Sequence, residues 1–152
     1  MRPLALLGLA IVVTGGAGFI GSAVIRHLLA HTADRIVNVD KLTYAAHLGS
    51  IPGAEGHPRY RLEQVDICNG TELRRVFQHY RPARILNLAA ETHVDRSIDG
   101  PAAFVQTNLV GTYTLLDEAL RYWRTLNAQD GGRFRLLRRI DDRTRRSGKA
   151  GL

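Results

Sequence analysis

The residues best placed to do chemistry form one short run, Gly15-Gly16-Ala17-Gly18-Phe19-Ile20-Gly21. It fits G-x-x-G-x-x-G from Gly15 and G-x-G-x-x-G from Gly16. Glycines let a phosphate approach the backbone, and the N–H groups of such a turn and of a helix beginning there can face a pyrophosphate. A glycine run by itself also fits a plain tight turn, so its surroundings carry the argument. An apolar run precedes it, and a stretch of helical spacing follows. Asp40 lies 19 residues beyond Gly21, at the end of a second apolar run. A carboxylate there accepts hydrogen bonds from adenosine ribose hydroxyls and repels a 2′-phosphate, so NAD is expected rather than NADP.

Other chemistries find no support in the residues. His27 and His31 stand four apart with no Glu between them and no third ligand in view, so no metal site is expected and a solvated helix face is the plainer reading. No G-x-S-x-G elbow exists for a hydrolase nucleophile. The single cysteine, Cys68, cannot form an internal disulfide and reads as a small apolar residue, so an oxidising compartment is not required.

The elements that must hold these groups alternate along the chain. Residues 9–13 form an apolar, β-branched run suited to a central strand buried on both faces. A helix is expected over 22–31, with Val24, Ile25, Leu28 and Leu29 on one face, and strands over 36–40 and 60–66. Helical spacing through Leu73, Val76 and Phe77 marks 71–80, with Thr71 as a candidate cap. A fourth strand follows over 84–90, then a polar loop closed by Gly100-Pro101, one long helix over 102–124, and the start of a fifth strand over 134–137. Alternating strands and helices imply an α/β fold, a Rossmann-like doubly wound parallel sheet truncated after about the fifth strand.

The chain has 152 residues, 45% hydrophobic and 23% charged, which suits one ordinary globular domain and argues against disorder. No apolar run is long enough to cross a membrane. Arg2 and the apolar residues 4–13 resemble a short signal peptide, but cleavage would cut into the glycine turn, so a buried first strand is the better reading. A cytoplasmic location is expected, with no membrane partner. The net charge of +7 is localised: residues 133–152 hold eight basic residues against Asp141 and Asp142, whereas the body is nearly neutral. No aromatics interleave with that basicity after Phe134, so no specific nucleic-acid partner is expected.

Several stretches together resemble dTDP-glucose 4,6-dehydratases, within the extended short-chain dehydrogenase/reductases. These are Thr14-Gly-Gly-Ala-Gly-Phe-Ile-Gly21, Val37-Asn-Val-Asp-Lys-Leu-Thr-Tyr-Ala45, Asp66-Ile-Cys68, Leu88-Ala-Ala-Glu-Thr-His-Val-Asp-Arg-Ser-Ile98, Gly100-Pro-Ala-Ala-Phe104, Thr107-Asn108 and Gly111-Thr-Tyr-Thr-Leu-Leu116. The likeness covers roughly residues 10–135. It implies that Gly15, Gly18, Phe19, Ile20 and Gly21 form the pyrophosphate turn. Asp40, Lys41, Leu42 and Thr43 would hold the adenosine half of NAD, with Asp66 and Ile67 beside the adenine. Leu88, Ala89, Ala90, Glu91 and Thr92 would flank the nicotinamide half, and Thr107 would reach the cofactor from the long helix. Thr92 would also touch the sugar nucleotide, where the family usually has Ser. Ala46 and His47 replace the family's usual Gly-Asn beside the adenosine loop.

The resemblance also implies what this chain lacks. Such dehydratases use a Tyr-x-x-x-Lys pair to remove the sugar 4-hydroxyl proton, and a Thr-Asp-Glu segment to eliminate water. The lysines here are Lys41 and Lys149, preceded four residues earlier by Val37 and Arg145. Where the Thr-Asp-Glu segment is expected, the sequence reads Leu136-Leu-Arg-Arg-Ile-Asp-Asp-Arg-Thr-Arg-Arg146. Residues 1–135 are therefore expected to be an incomplete NAD-binding domain, and 136–152 a basic tail unrelated to the family, as after an interrupted reading frame. No catalytic residue is assigned, and no turnover of dTDP-glucose is expected. The alternatives are another nucleotide-sugar enzyme, such as a UDP-sugar 4-epimerase or decarboxylase, or a non-catalytic NAD-binding module whose basic tail recruits an anionic partner. In the family the long helix packs at a homodimer interface beside the helix bearing the catalytic tyrosine. Without that neighbour, Ala103, Val110, Leu115, Leu116, Ala119 and Leu120 are expected to keep apolar surface in water, so this chain is expected to fold poorly by itself. The homodimer is an expectation for the intact family and not for this chain.

Overall fold

The computed structural model describes residues 8–43, 49, 51–54, 56–91 and 101–139. Five parallel strands form one sheet: β1 (Ala10–Thr14), β2 (Arg35–Val39), β3 (Tyr60–Glu63), β4 (Arg84–Asn87) and β5 (Arg135–Arg138). Their order is β3-β2-β1-β4-β5, so the chain leaves β1 toward one edge and returns to the other side of β1 with β4. The carboxyl ends of β1 and β4 therefore flank the switch point, where open α/β sheets bind ligands.

Side-chain alternation sorts the core into two layers. Ile11 and Val13 point to one face, joined there by Ile25 of α1 (Phe19–His31), Ile36 and Tyr60. Val12 points to the other, meeting Val37, Val39, Ile85, and Leu73, Val76 and Phe77 of α2 (Gly70–Tyr80). Both faces of β1 are covered, so all five of its residues are buried. Leu115, Ala119 and Tyr122 close the second layer from the long helical segment.

That segment is helical without a break from Pro101 to Trp123, but it is not uniform. It comprises α3 (Pro101–Val105), a π-helical stretch (Gln106–Gly111) and α4 (Thr112–Trp123). Helical periodicity alone could not reveal the π turn, which departs from it by one residue. A short helix, α5 (Ala128–Arg133), precedes β5.

Several expectations need correction. Helix α1 starts at Phe19 rather than 22, because the glycine turn runs straight into it. The cap of α2 is Asn69, whose side chain accepts from the Glu72 N–H at 3.2 Å; Thr71 already lies within the helix. Strands β3 and β4 end at Glu63 and Asn87, earlier than the apolar runs suggested. Leu115 and Ala119 are buried against the sheet and α2, not left in water. Ala103, Val110, Leu116 and Leu120 do remain exposed, and the apolar stripe also takes in Val105, Leu109, Tyr113 and Trp123. Among the described residues, no helix is long and apolar enough to cross a membrane.

Candidate functional site

The turn after β1 is shaped by crowding. Gly15 has φ +68°, and a Cβ on it would sit 2.7 Å from Ala89, in the chain leaving β4. A Cβ on Gly21 would collide with the Gly15 carbonyl oxygen, so α1 packs against the turn only because position 21 carries no side chain. The turn is pinned by Gly15 N–H to the Val39 carbonyl (2.9 Å) and by Gly18 N–H to the Gly15 carbonyl (3.1 Å). Gly18 is the N-cap of α1 and supplies no side-chain acceptor, and no acidic residue stands in the first turn. The helix thus presents a positive terminus whose first N–H groups lack a side-chain partner, an arrangement suited to an anion.

Asp40 follows β2 directly and faces this turn. Its Oδ2 accepts from the Ala17 N–H at 3.0 Å and its Oδ1 from the Leu42 N–H at 2.8 Å, where Leu42 has φ 57°. A carboxylate oxygen has two lone pairs, so each retains capacity for a ligand hydroxyl. Lys41 reaches across the cleft, donating to Thr107 Oγ1 (3.3 Å) and standing 3.9 Å from Asp66 Oδ2. Asp66 in turn accepts from the Cys68 N–H at 2.9 Å. The Cys68 thiol donates to the Gln106 carbonyl, and burial, aided by Asp66, pushes its pKa upward, so it stays a protonated thiol.

The cleft at the carboxyl ends of the strands is lined by Gly15, Gly18, Asp40, Lys41, Thr43, Asp66, Ile67, Leu88, Ala89, Ala90, Glu91 and Thr107. All of these were singled out in the sequence. Gly21, Leu42, Phe19 and Ile20 are not among the lining residues; Gly21 and Leu42 shape the turn and the strand end, and the Phe19 side chain is 93% exposed. Thr92, with its neighbours His93 and Asp95, lies outside the described residues, as do Ala46, His47 and residues 140–152. His27 and His31 stack at 4.4 Å on an outer helix face. Among the described residues, no group of three metal-ligating side chains comes together.

Two positioning residues had escaped the sequence reading. Thr14 donates its hydroxyl to Asn87 Oδ1 (2.6 Å) and accepts from the N–H groups of Leu88 and Ala89, both at 3.2 Å. It fastens the end of β1 to the loop leaving β4. Asn108 pairs reciprocally with Glu91, accepting its N–H at 2.9 Å and donating to its carbonyl at 3.0 Å. The π turn turns Thr107 and Asn108 together toward the cleft, one to Lys41 and the other to that loop. An Asn within a helix, where it is disfavoured, is the sequence signal that could have drawn attention to it. Val39 and Val65 also line the cleft and were not foreseen.

This order of parallel strands, with a glycine turn opening onto a bare helix terminus at the switch point, defines a Rossmann-like α/β protein of the nucleotide-binding kind. The model of the GDP-mannose 4,6 dehydratase family matches residues 12–136, and the chain belongs to that family. Among its curated relatives, dTDP-glucose 4,6-dehydratase of Escherichia coli is 54% identical over 125 residues, which cover 82% of this chain and 34% of the relative. That of Neisseria meningitidis is 55% identical, covering 82% and 35%. The chain thus spans about a third of the length of the curated relatives it matches. Of solved structures, DesIV, a dTDP-glucose 4,6-dehydratase of Streptomyces venezuelae with NAD bound, superposes with a TM-score of 0.71 at 38% identity, covering 84% of this chain and 38% of that one. UDP-glucose 4-epimerase of Thermotoga maritima gives 0.66 at 30% identity, covering 75% and 35%, so the fold is shared beyond dehydratases.

Proposed function

We propose that this chain binds NAD in the cleft at the carboxyl ends of its strands and represents the cofactor-binding part of a dTDP-glucose 4,6-dehydratase, without turnover of its own. The observation that carries the reading is the meeting of three features at one point. The uncapped terminus of α1, the close-packed turn at Gly15 and the Asp40 carboxylate all converge there. The turn and helix terminus suit a pyrophosphate, and Asp40 suits a ribose diol. Gly15, Gly18 and the backbone N–H groups of Phe19, Ile20 and Gly21 would hold the phosphates. Asp40, Lys41, Leu42 and Thr43 would hold the adenosine side, with Asp66 and Ile67 beside the base. Leu88, Ala89, Ala90, Glu91 and Thr107 would flank the nicotinamide, joined by Thr92, which would also meet the sugar nucleotide.

Bound NAD+ accepts and returns hydride in chemistry of this kind. This chain's own residues bind and orient; none is assigned a proton-transfer role, since no Tyr-x-x-x-Lys occurs in the 152 residues. The relatives' identities favour dTDP-glucose as the sugar nucleotide of the whole enzyme over a UDP-sugar. The NAD-binding domain is taken as residues 1–135 and the tail as 136–152, although β5 (Arg135–Arg138) crosses that boundary and pairs with β4. The exposed stripe on α3 and α4 supports a homodimer in the whole enzyme, and a cytoplasmic setting agrees with NAD chemistry. Neither a membrane nor a specific nucleic-acid partner is required by this reading.

Calorimetry and a turnover assay test it together. The chain should bind NAD+ and yield no 4-keto-6-deoxy product from dTDP-glucose. Absence of NAD+ binding by folded protein would remove the proposal, and multiple turnovers would remove the claim of inactivity.

A further inference from the structure

At the amino ends of the strands, opposite the NAD cleft, lies a second hollow of about 630 Å³. Arg35, Arg81, Arg84, Arg133 and Arg135 line it, with Asp130 as the lining carboxylate. Asp130 is already engaged, accepting from Asn127 Nδ2 at 2.8 Å in the cap of α5. Among the described residues, none of the five arginines forms an ion pair. Arg81 caps the carboxyl end of α2, where a cation complements the helix dipole. That accounts for one arginine. Arg135 donates through one guanidinium nitrogen to the Gly132 and Phe134 carbonyls, both at 2.8 Å, and keeps its other N–H groups, while among the described residues no such partner accounts for Arg35 and Arg84. Arg84 and Arg135 are direct partners on β4 and β5, about 4.8 Å apart at the backbone, a placement in which like charges destabilise a sheet. Arg35 begins β2, two strands away from β4. The hollow also has apolar lining from Ala10, Tyr122 and Leu126.

Guanidinium forks bind phosphoryl oxygens in bidentate fashion, and a hollow of this volume falls within the range of small-ligand sites. One phosphate could not meet arginines spread over three strands and two helix ends, whereas a chain of phosphoryl groups could bridge them and relieve the Arg84–Arg135 repulsion. We propose that this hollow is a binding site for an oligophosphate, either inorganic or carried by a nucleoside, separate from the NAD cleft.

Titration of the full chain with sodium tripolyphosphate, and separately with ATP, tests the assignment. Both should bind, and R84Q/R135Q should weaken both by about tenfold or more while NAD+ affinity stays unchanged. If that pair of changes prevents folding, R133Q at the exposed end of α5 should still weaken tripolyphosphate by about threefold. Equal affinities would assign recognition to the phosphoryl chain alone; tighter ATP would add the Tyr122 wall to a nucleoside site. No tripolyphosphate binding at about 1 mM, unchanged affinity in the folded variants, or displacement of tripolyphosphate by NAD+ would overturn the site. So would much tighter binding of a single-stranded oligonucleotide that displaces tripolyphosphate, which would make the hollow part of a nucleic-acid surface.

Discussion

Replacing Asp40 with Asn leaves shape nearly intact and removes one acceptor from a residue that uses two. Both carboxylate oxygens accept backbone N–H groups, from Ala17 at 3.0 Å and Leu42 at 2.8 Å. An amide can accept only one of these and opposes its own NH2 to the other. A hydrogen bond to a charged group contributes ~1.5–3 kcal/mol, and partial exposure reduces that, so a loss of about 1–2 kcal/mol is expected. With a urea m-value of ~2 kcal/mol/M, the middle of the range for small proteins, the unfolding midpoint should fall by roughly 0.5–1 M. The same substitution changes ligand preference. A carboxylate about 4 Å from each unit of phosphate charge costs up to ~4 kcal/mol at an effective dielectric constant near 20, so even heavily screened it gives a preference for NAD of about a hundredfold. Calorimetry on Asp40→Asn should show that preference reduced to about tenfold or less. An unchanged urea midpoint together with an unchanged NAD-to-NADP ratio would refute the role assigned to Asp40.

Three further outcomes are expected. Gly21→Ala forces a Cβ into the Gly15 carbonyl and should abolish NAD binding and destabilise the fold, whereas Gly132→Ala, which meets nothing within 4 Å, should do neither; calorimetry and thermal melts compare them. Leu115→Ala opens a cavity in the second core layer and should cost ~2–5 kcal/mol, whereas Leu116→Ala, on the exposed stripe, should cost under about 0.5 kcal/mol in urea unfolding. Glu63 accepts from Arg75 and from the Tyr80 hydroxyl, and chiefly the Arg75 bond lowers its pKa below the ordinary carboxylate range. Its contribution is present above the unfolded-state pKa and is lost as pH falls through the folded value, so Glu63→Gln should flatten the acid limb of a stability–pH curve. An acid limb equally steep in the variant would assign that loss to other groups.

The alternation of apolar runs with helical spacing was enough to order the strands and helices, because burial on both faces of a parallel sheet leaves continuous β-branched runs such as 9–13. The glycine turn and Asp40 were legible for a related reason. Close backbone approach excludes every side chain at Gly15 and Gly21, so the constraint is written in the residue type itself. What the sequence could not express were features set by distance between elements. Leu115 and Leu116 are chemically identical neighbours, and only the packing of α4 on α2 decides that one is buried and the other 46% exposed. Thr14 and Asn108 are ordinary polar residues until β4 and the π turn bring their partners within reach. The five arginines of the second hollow are scattered from 35 to 135, and the sheet register brings Arg84 beside Arg135. Local sequence fixes what a residue can do, through its shape, charge and backbone freedom. Which partner it meets depends on strand order and helix docking, which are properties of the whole chain's packing and of no single segment.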